Sequence, residues 1–316
     1  MVGKIEPAAR RLAAGERARR AAAARERLRA CDLCPRRCGV NRLAGERGFC
    51  RTGDRAVVAS YAPHFGEEEP LVGRGGSGTI FFANCNLGCV FCQNYEISHL
   101  GEGREVDDTQ LAGMMLALQE QGCVNINLVT PSHVVPQMLA ALVMACRWGL
   151  SLPLVYNTSS YDGLATLKLL DGVVDIYLAD FKYWNPPSAQ RLLQARNYPP
   201  CARAALKEMH RQVGDLQLDD QGLARRGLLL RHLVMPEGLA DSAEIFNFLA
   251  REISPDTYVN IMEQYRPCGQ AFKFPPIDRP LDQAEYAEAL ELARAAGLHR
   301  FDERAATRLL RRLLQE

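Results

Sequence analysis

The sequence predicts an α/β protein built around a parallel sheet. Three observations carry that expectation. Six short apolar runs, each bounded by Gly, Pro, Asn or Asp, alternate with helix-like stretches. The runs are mostly apolar throughout rather than alternating with polar residues, which suits strands covered on both faces. A chain of 316 residues, 47% of them hydrophobic and 24% charged, can bury such a sheet. Six strands separated by helices make βα units with right-handed crossovers. The sheet is then either open and doubly wound or curled into a barrel, with chemistry at the C-terminal strand ends in both cases.

The elements follow in order. Residues 6–30 are rich in good helix formers and read as a helix. Their Arg and Ala content is that of a transit peptide, but Glu6, Glu16 and Glu26 and the absence of Ser favour a surface helix. Residues 31–53, CDLCPRRCGVNRLAGERGFCRTG, are turn-rich and too poor in apolar residues to fold without a ligand. The strands are expected at 79–84, 124–129, 152–157, 174–180, 228–235 and 258–262. Helices are expected at 108–121, 135–148, 162–171, 186–213, 241–253, 280–296 and 303–316. Asp107-Asp108-Thr109 and Asp241-Ser242 with Glu244 read as helix starts. The expected organisation is an N-terminal helix (1–30), a cysteine-rich metal-binding module (31–70), the α/β body (71–270) and C-terminal helices (271–316).

Several function classes are disfavoured. A net charge of +1 recruits neither nucleic acid nor an anionic membrane. No run of 18 apolar residues is present, so no membrane span is expected. The 11 cysteines are odd in number and follow no recognisable secretory leader, which favours reduced, metal-binding thiols in the cytoplasm over a disulfide framework.

Seven of the cysteines fall in two sets. Cys31, Cys34, Cys38 and Cys50 have the spacing C-x2-C-x3-C-x11-C. Four thiolates close a zinc site or hold an auxiliary iron–sulfur cluster, and spacing alone leaves both open. Cys85, Cys89 and Cys92, in NCNLGCVFCQNY, have the spacing C-x3-C-x2-C and no fourth Cys or His beside them. Structural zinc takes four protein ligands. A cluster held by three thiolates leaves one iron free for substrate or cofactor.

At these residues the chain resembles the radical S-adenosylmethionine (SAM) superfamily, whose signature includes an aromatic residue before the last cysteine, here Phe91. Across GSGTIFFANCNLGCVFCQN, NINLVTPSH, VYNTSSYDG, VDIYLADFKYWN and YVNIMEQYRP it looks like the PflX-type group, homologues of pyruvate formate-lyase activating enzymes. The resemblance implies a partial TIM-like (βα)6 barrel. It implies a [4Fe-4S] cluster on Cys85, Cys89 and Cys92 that binds SAM and cleaves it reductively to a 5′-deoxyadenosyl radical, which abstracts a hydrogen atom. The hydrogen comes from a glycine of a partner glycyl-radical enzyme, or from a small molecule. A flavodoxin or ferredoxin is the implied electron donor.

Roles carry over residue by residue. Where activating enzymes have a Gly-Gly-Glu-like turn, this chain has Thr130-Pro131-Ser132-His133, a departure that leaves Thr130, Ser132 or His133 to meet the SAM amino group. Asn157 and Ser159 match a segment that reaches the ribose and carboxylate. Asp180-Phe181-Lys182 keeps the family's Asp-x-Lys near the cofactor carboxylate, in some members with a monovalent cation. Each also has a plainer reading: Asn157, Ser159 and Ser160 as turn residues, Asp180 and Lys182 as an ordinary ion pair, His133 as a packed histidine. Glu67, Glu68 and Glu69 read as a solvated loop or as part of the barrel mouth. Arg231 and His232 point to opposite faces of their strand. Two rival classes stand beside the enzyme: a non-catalytic zinc or iron–sulfur interaction module, and a sugar- or phosphate-binding barrel with incidental metals.

Overall fold

A computed structural model describes residues 6–302. The helix expected at 303–316 lies outside the described residues. Strands are β1 (Ala56–His64), β2 (Ser77–Phe82), β3 (Arg104–Val106), β4 (Ile126–Val129), β5 (Leu154–Thr158), β6 (Ile176–Asp180), β7 (Gln217–Leu218), β8 (Ala224–Leu233), β9 (Tyr258–Met262) and β10 (Arg300–Phe301). Helices are α1 (Ala8–Arg11), α2 (Ala14–Glu26), α3 (Glu69–Val72), α4 (Asp108–Glu120), α5 (Val135–Arg147), α6 (Leu164–Leu169), α7 (Pro186–Leu193), α8 (Tyr198–Val213), α9 (Ser242–Phe248) and α10 (Gln283–Ala295).

The result is a mixed α/β fold on one large sheet. Its strand order is β10-β9-β8-β6-β5-β4-β2-β1-β3, with β7 paired to β8 alone. The six strands expected from the sequence are β2, β4, β5, β6, β8 and β9, and they are mutually parallel neighbours. Their order across the sheet follows their order in the chain. A doubly wound sheet reverses at a switch point, and this one does not. β1 runs antiparallel to both β2 and β3. Residues 56–64 are therefore part of the sheet, and the boundary expected at residue 70 falls between two paired strands.

The two faces of the sheet carry separate apolar cores. Tyr156, Tyr177, Ala179, Leu228 and Leu230 belong to the large core that includes helix residues such as Met138 and Leu142 of α5 and Leu206 of α8. Val155, Ile176, Leu178 and Leu229 alternate with them and form a smaller core with Leu71 of α3. Burial on both sides explains why these strands read as continuous apolar runs.

Local differences have physical causes. The helix expected over 6–30 breaks at Leu12–Ala13, where the Arg17 guanidinium satisfies the Ala9 and Leu12 carbonyls that end α1. The helix expected over 186–213 is two helices, because Gln194 turns through a left-handed conformation (φ 55°) and Pro199 and Pro200 start α8. Asp107 forms its capping box with Gln110. Asp241 does not cap α9; the Ser242 hydroxyl pairs instead with His232 Nε2 at 2.9 Å. No helix among the described residues is long and apolar enough to cross a membrane.

Candidate active site

The C-terminal ends of the parallel strands open into a cavity of about 840 Å3. Cys85, Cys89 and Cys92 line it, together with Thr130, Asn157, Thr158, Ser159, Asp180 and Lys182. From the inner face of the sheet come Phe81, Val129, Arg231 and Asn260. The lining also takes His64 from one margin of the sheet and Tyr286, Leu290, Phe301 and Asp302 from the other.

The three-cysteine loop follows β2 and is tied to the end of α7. Gly88 N–H and Val90 N–H donate to the carbonyls of Leu193 and Leu192, both at 3.0 Å. A Cβ on Gly88 would lie 2.7 Å from the Gln194 side-chain amide, so a larger residue here requires that side chain to shift. Donors already point at the sulfurs. Leu87 N–H reaches Cys85 Sγ at 3.3 Å, and the Ser98 hydroxyl reaches Cys92 Sγ at 3.2 Å. Burial pushes the free Cys85 thiol up to about 12 and the Cys89 thiol higher still. Bare thiolates are therefore disfavoured here, and a metal centre that displaces the protons removes the penalty. Donors aimed at sulfur suit iron–sulfur ligands, so these residues fit a cluster. Among the described residues, no three His, Cys, Asp or Glu donors close on one point as ligands of a single ion do.

Lys182 Nζ sits 2.6 Å from Asp180 Oδ2. Burial would lower the lysine pKa, but Asp180 and Cys89 outweigh it and hold the group above its ordinary value. The Tyr198 hydroxyl accepts the Lys182 N–H at 2.9 Å and donates to Ser159 O at 3.0 Å, which fixes the ends of β5 and β6 together.

Strain gathers at the same strand ends. Asn84, Thr130 and Ser160 follow β2, β4 and β5, and all three are non-glycine residues with positive φ (68°, 62° and 61°). For a β-branched threonine this is a costly conformation, of the kind that collects at functional sites.

Ser132 and His133 lie elsewhere. The Ser132 hydroxyl is buried against Thr158 Oγ1 at 3.1 Å. Thr158 donates in turn to Asp162, which also accepts the Tyr156 hydroxyl at 2.8 Å. His133 is buried, with Nε2 3.0 Å from Ala83 O. Burial first, then Arg42, pushes it down to about 4. It lines the second cavity, a small one walled by Cys31, Cys34, Cys38, Cys50 and Arg42. All eleven cysteines are free thiols.

The chain is 34% identical over 270 residues to the uncharacterized protein MJ0674 of Methanocaldococcus jannaschii, across 83% of this chain and 74% of that one. This chain belongs to the MJ0674 family. No protein-family model matches it. Among solved structures it is similar to TYW1 with a lysine–pyruvate adduct bound, with a TM-score of 0.42 and 10% identity over 69% of this chain and 72% of that one. It is also similar to HydG, a maturase of the [FeFe]-hydrogenase, with a TM-score of 0.46 and 13% identity over 68% of this chain and 47% of that one. Both likenesses are too distant to assign a fold or a chemistry.

In this member of the MJ0674 family the cavity wall holds a charged group whose partners the sequence did not reveal. Arg231 forms a two-pronged pair with Glu68, one arm at 2.7 Å, and also pairs with Glu67. Asn260 Nδ2 donates to Glu68 Oε1 at 2.8 Å. Burial would raise the Glu68 pKa, but Arg231 and Asn260 bring it below its usual value. His232 faces the other way, as expected, between Phe181 O and Ser242. Tyr198 and Asp162 had no signal in the sequence beyond their residue type.

Proposed function

We propose that this protein is a radical SAM enzyme on a partial (βα)6 barrel. One observation carries the reading: the three thiols of the C-x3-C-x2-C loop line the polar cavity at the strand ends, and no fourth thiol joins them there among the described residues. Singly wound parallel strands with an open sheet support the partial barrel. Cys85, Cys89 and Cys92 would hold a [4Fe-4S] cluster that supplies one electron to the reductive cleavage of SAM, the source of a hydrogen-abstracting radical.

The chain's own residues then bind and orient. Lys182, held charged and fixed by Asp180, suits the methionyl carboxylate. The hydroxyls of Thr130 and Ser159 and the Asn157 amide offer neutral donors and acceptors to the amino group and ribose. Ser132 and His133 support the wall from behind rather than touching the cofactor. Lys182 already neutralises Asp180, so the reading needs no monovalent cation there.

The hydrogen donor in this reading is a glycine of a partner glycyl-radical enzyme, an activase-like role. The cavity is lined from both margins of an open sheet, by His64 on one and Phe301 on the other, and that lateral face supports entry of a peptide loop over a small molecule.

The test is anaerobic reconstitution with iron and sulfide, followed by dithionite and SAM. Wild type should release 5′-deoxyadenosine and methionine, and Cys89→Ala should release neither. A fully loaded wild type that binds no SAM overturns the reading.

A further inference from the structure

The second cavity combines four sulfurs with unpaired buried positive charge. Cys31, Cys34, Cys38 and Cys50 line it with Arg36 and Arg42, and no carboxylate is in its wall. Arg42 is 1% exposed. Its Nη1 donates to His133 O at 2.8 Å and lies 3.9 Å from Cys31 Sγ. Its Nη2 is buried without a partner, as is Nη2 of Arg36. A guanidinium cannot shed its charge, and leaving it buried without an anion is costly. Four thiolates on a metal centre supply that anion.

Zinc is redox-inert and only ties such a module together. A cluster exchanges electrons, and these four thiols line a cavity that shares Asn86 with the Cys85 loop. Backbone support is present as well: Phe49 N–H points at Cys38 Sγ at 3.5 Å.

One buried residue joins the two thiol sets. Asn86, fully buried, lines the four-thiol cavity and follows Cys85 in the chain. Its Oδ1 lies 3.9 Å from Cys85 Sγ, and its Nδ2 donates to Tyr161 O at 2.6 Å. On the outer side Phe49 is 40% exposed, with the Arg36 guanidinium 3.6 Å over its ring.

We propose that Cys31, Cys34, Cys38 and Cys50 hold a second [4Fe-4S] cluster that adjoins the Cys85 loop through Asn86 and passes electrons to it. The cluster assignment stands by itself; the electron transfer rests on the radical SAM reading. One electron from a flavodoxin- or ferredoxin-class donor reduces the four-thiol cluster. Its transfer re-oxidises that cluster and reduces the three-thiol cluster by the same one electron, with no bond made or broken.

The test is metal analysis of the full chain reconstituted anaerobically with iron, sulfide and an equal supply of zinc. Wild type should hold about eight irons and no zinc, and the Cys85→Ala/Cys89→Ala/Cys92→Ala variant about four irons. About four irons in wild type that are lost from the triple variant, with or without one zinc, overturns the assignment. A triple variant that keeps its irons, beside a wild type inert toward SAM, refutes the radical reading and leaves the second cluster standing. For the electron link, the EPR spectrum of dithionite-reduced wild type should show spin–spin splitting that is lost in both the triple variant and Cys34→Ala/Cys38→Ala. A wild-type spectrum equal to the sum of the two variants' spectra overturns the link.

Discussion

Arg231 and the two glutamates at its side show what a single residue contributes here. The two-pronged pair with Glu68 is nearly closed to water, with 1% of the glutamate side chain exposed. Arg231→Met leaves two carboxylates facing each other without their cation. It should cost about 3–5 kcal/mol in chemical denaturation, much of it recovered when Glu67→Gln and Glu68→Gln are added. The sequence marked the glutamates as candidates for the barrel mouth but could not pair Glu68 with an arginine 163 positions away. His232 makes a pH prediction. Burial pushes its pKa down to about 4 from 6.5. The unfolded chain therefore takes the proton first as pH falls below about 6.5, and stability is lost between there and about 4, by up to about 3 kcal/mol. Thermal unfolding followed from pH 7 to 4.5 should show a shallower decline for His232→Asn than for wild type. An equal decline in both would contradict this account of the residue. The seven clustered cysteines were legible one by one, because thiol spacing is itself the signal. The displacement of Ser132 and His133 from the large cavity was not legible, because it depends on how the turn after β4 folds under Thr158 and Ala83.

Elements were legible where burial is simplest. β2, β4, β5, β6 and the middle of β8 are covered on both faces, so apolar content alone marks them, while β9 buries one face through Val259 and Ile261. β1 escaped because seven of its nine residues, all but Ala56 and Val58, are partly exposed or exposed, and Pro63 lies within it. The two-residue strands β7 and β10 are too short to leave a pattern. The division between α7 and α8, which the single helix expected over 186–213 overlooked, has its signal in Pro199 and Pro200, tolerated in the first turn of a helix but not in its interior. At this scale Asp107→Ala, which removes the capping box of α4, should lower stability by about 1 kcal/mol in urea titration. Gly48→Ala tests the four-thiol module, since its Cβ would fall 2.7 Å from Cys38 Sγ. Reconstituted Gly48→Ala should lose the metal of that module while the Cys85 loop stays loaded. Full metal content in this variant would contradict the packing described for Cys38.

For the whole molecule, the decisive feature is a singly wound parallel sheet whose strand ends bring together loops from across the chain. βα alternation made the parallel sheet legible, but not its winding, because an open doubly wound sheet has the same pattern of elements. Nor could the pattern show that both sheet margins contribute to one cavity. The central claim is that the three-thiol loop leaves one iron for SAM. Electron–nuclear double resonance on the reduced protein, with SAM carrying 15N at the amino group and 17O at the carboxylate, tests it most directly. The account predicts hyperfine coupling from both labels to the cluster on Cys85, Cys89 and Cys92, absent in Cys89→Ala. Bound SAM with no coupling from either label, in protein with that cluster fully reduced, would contradict it.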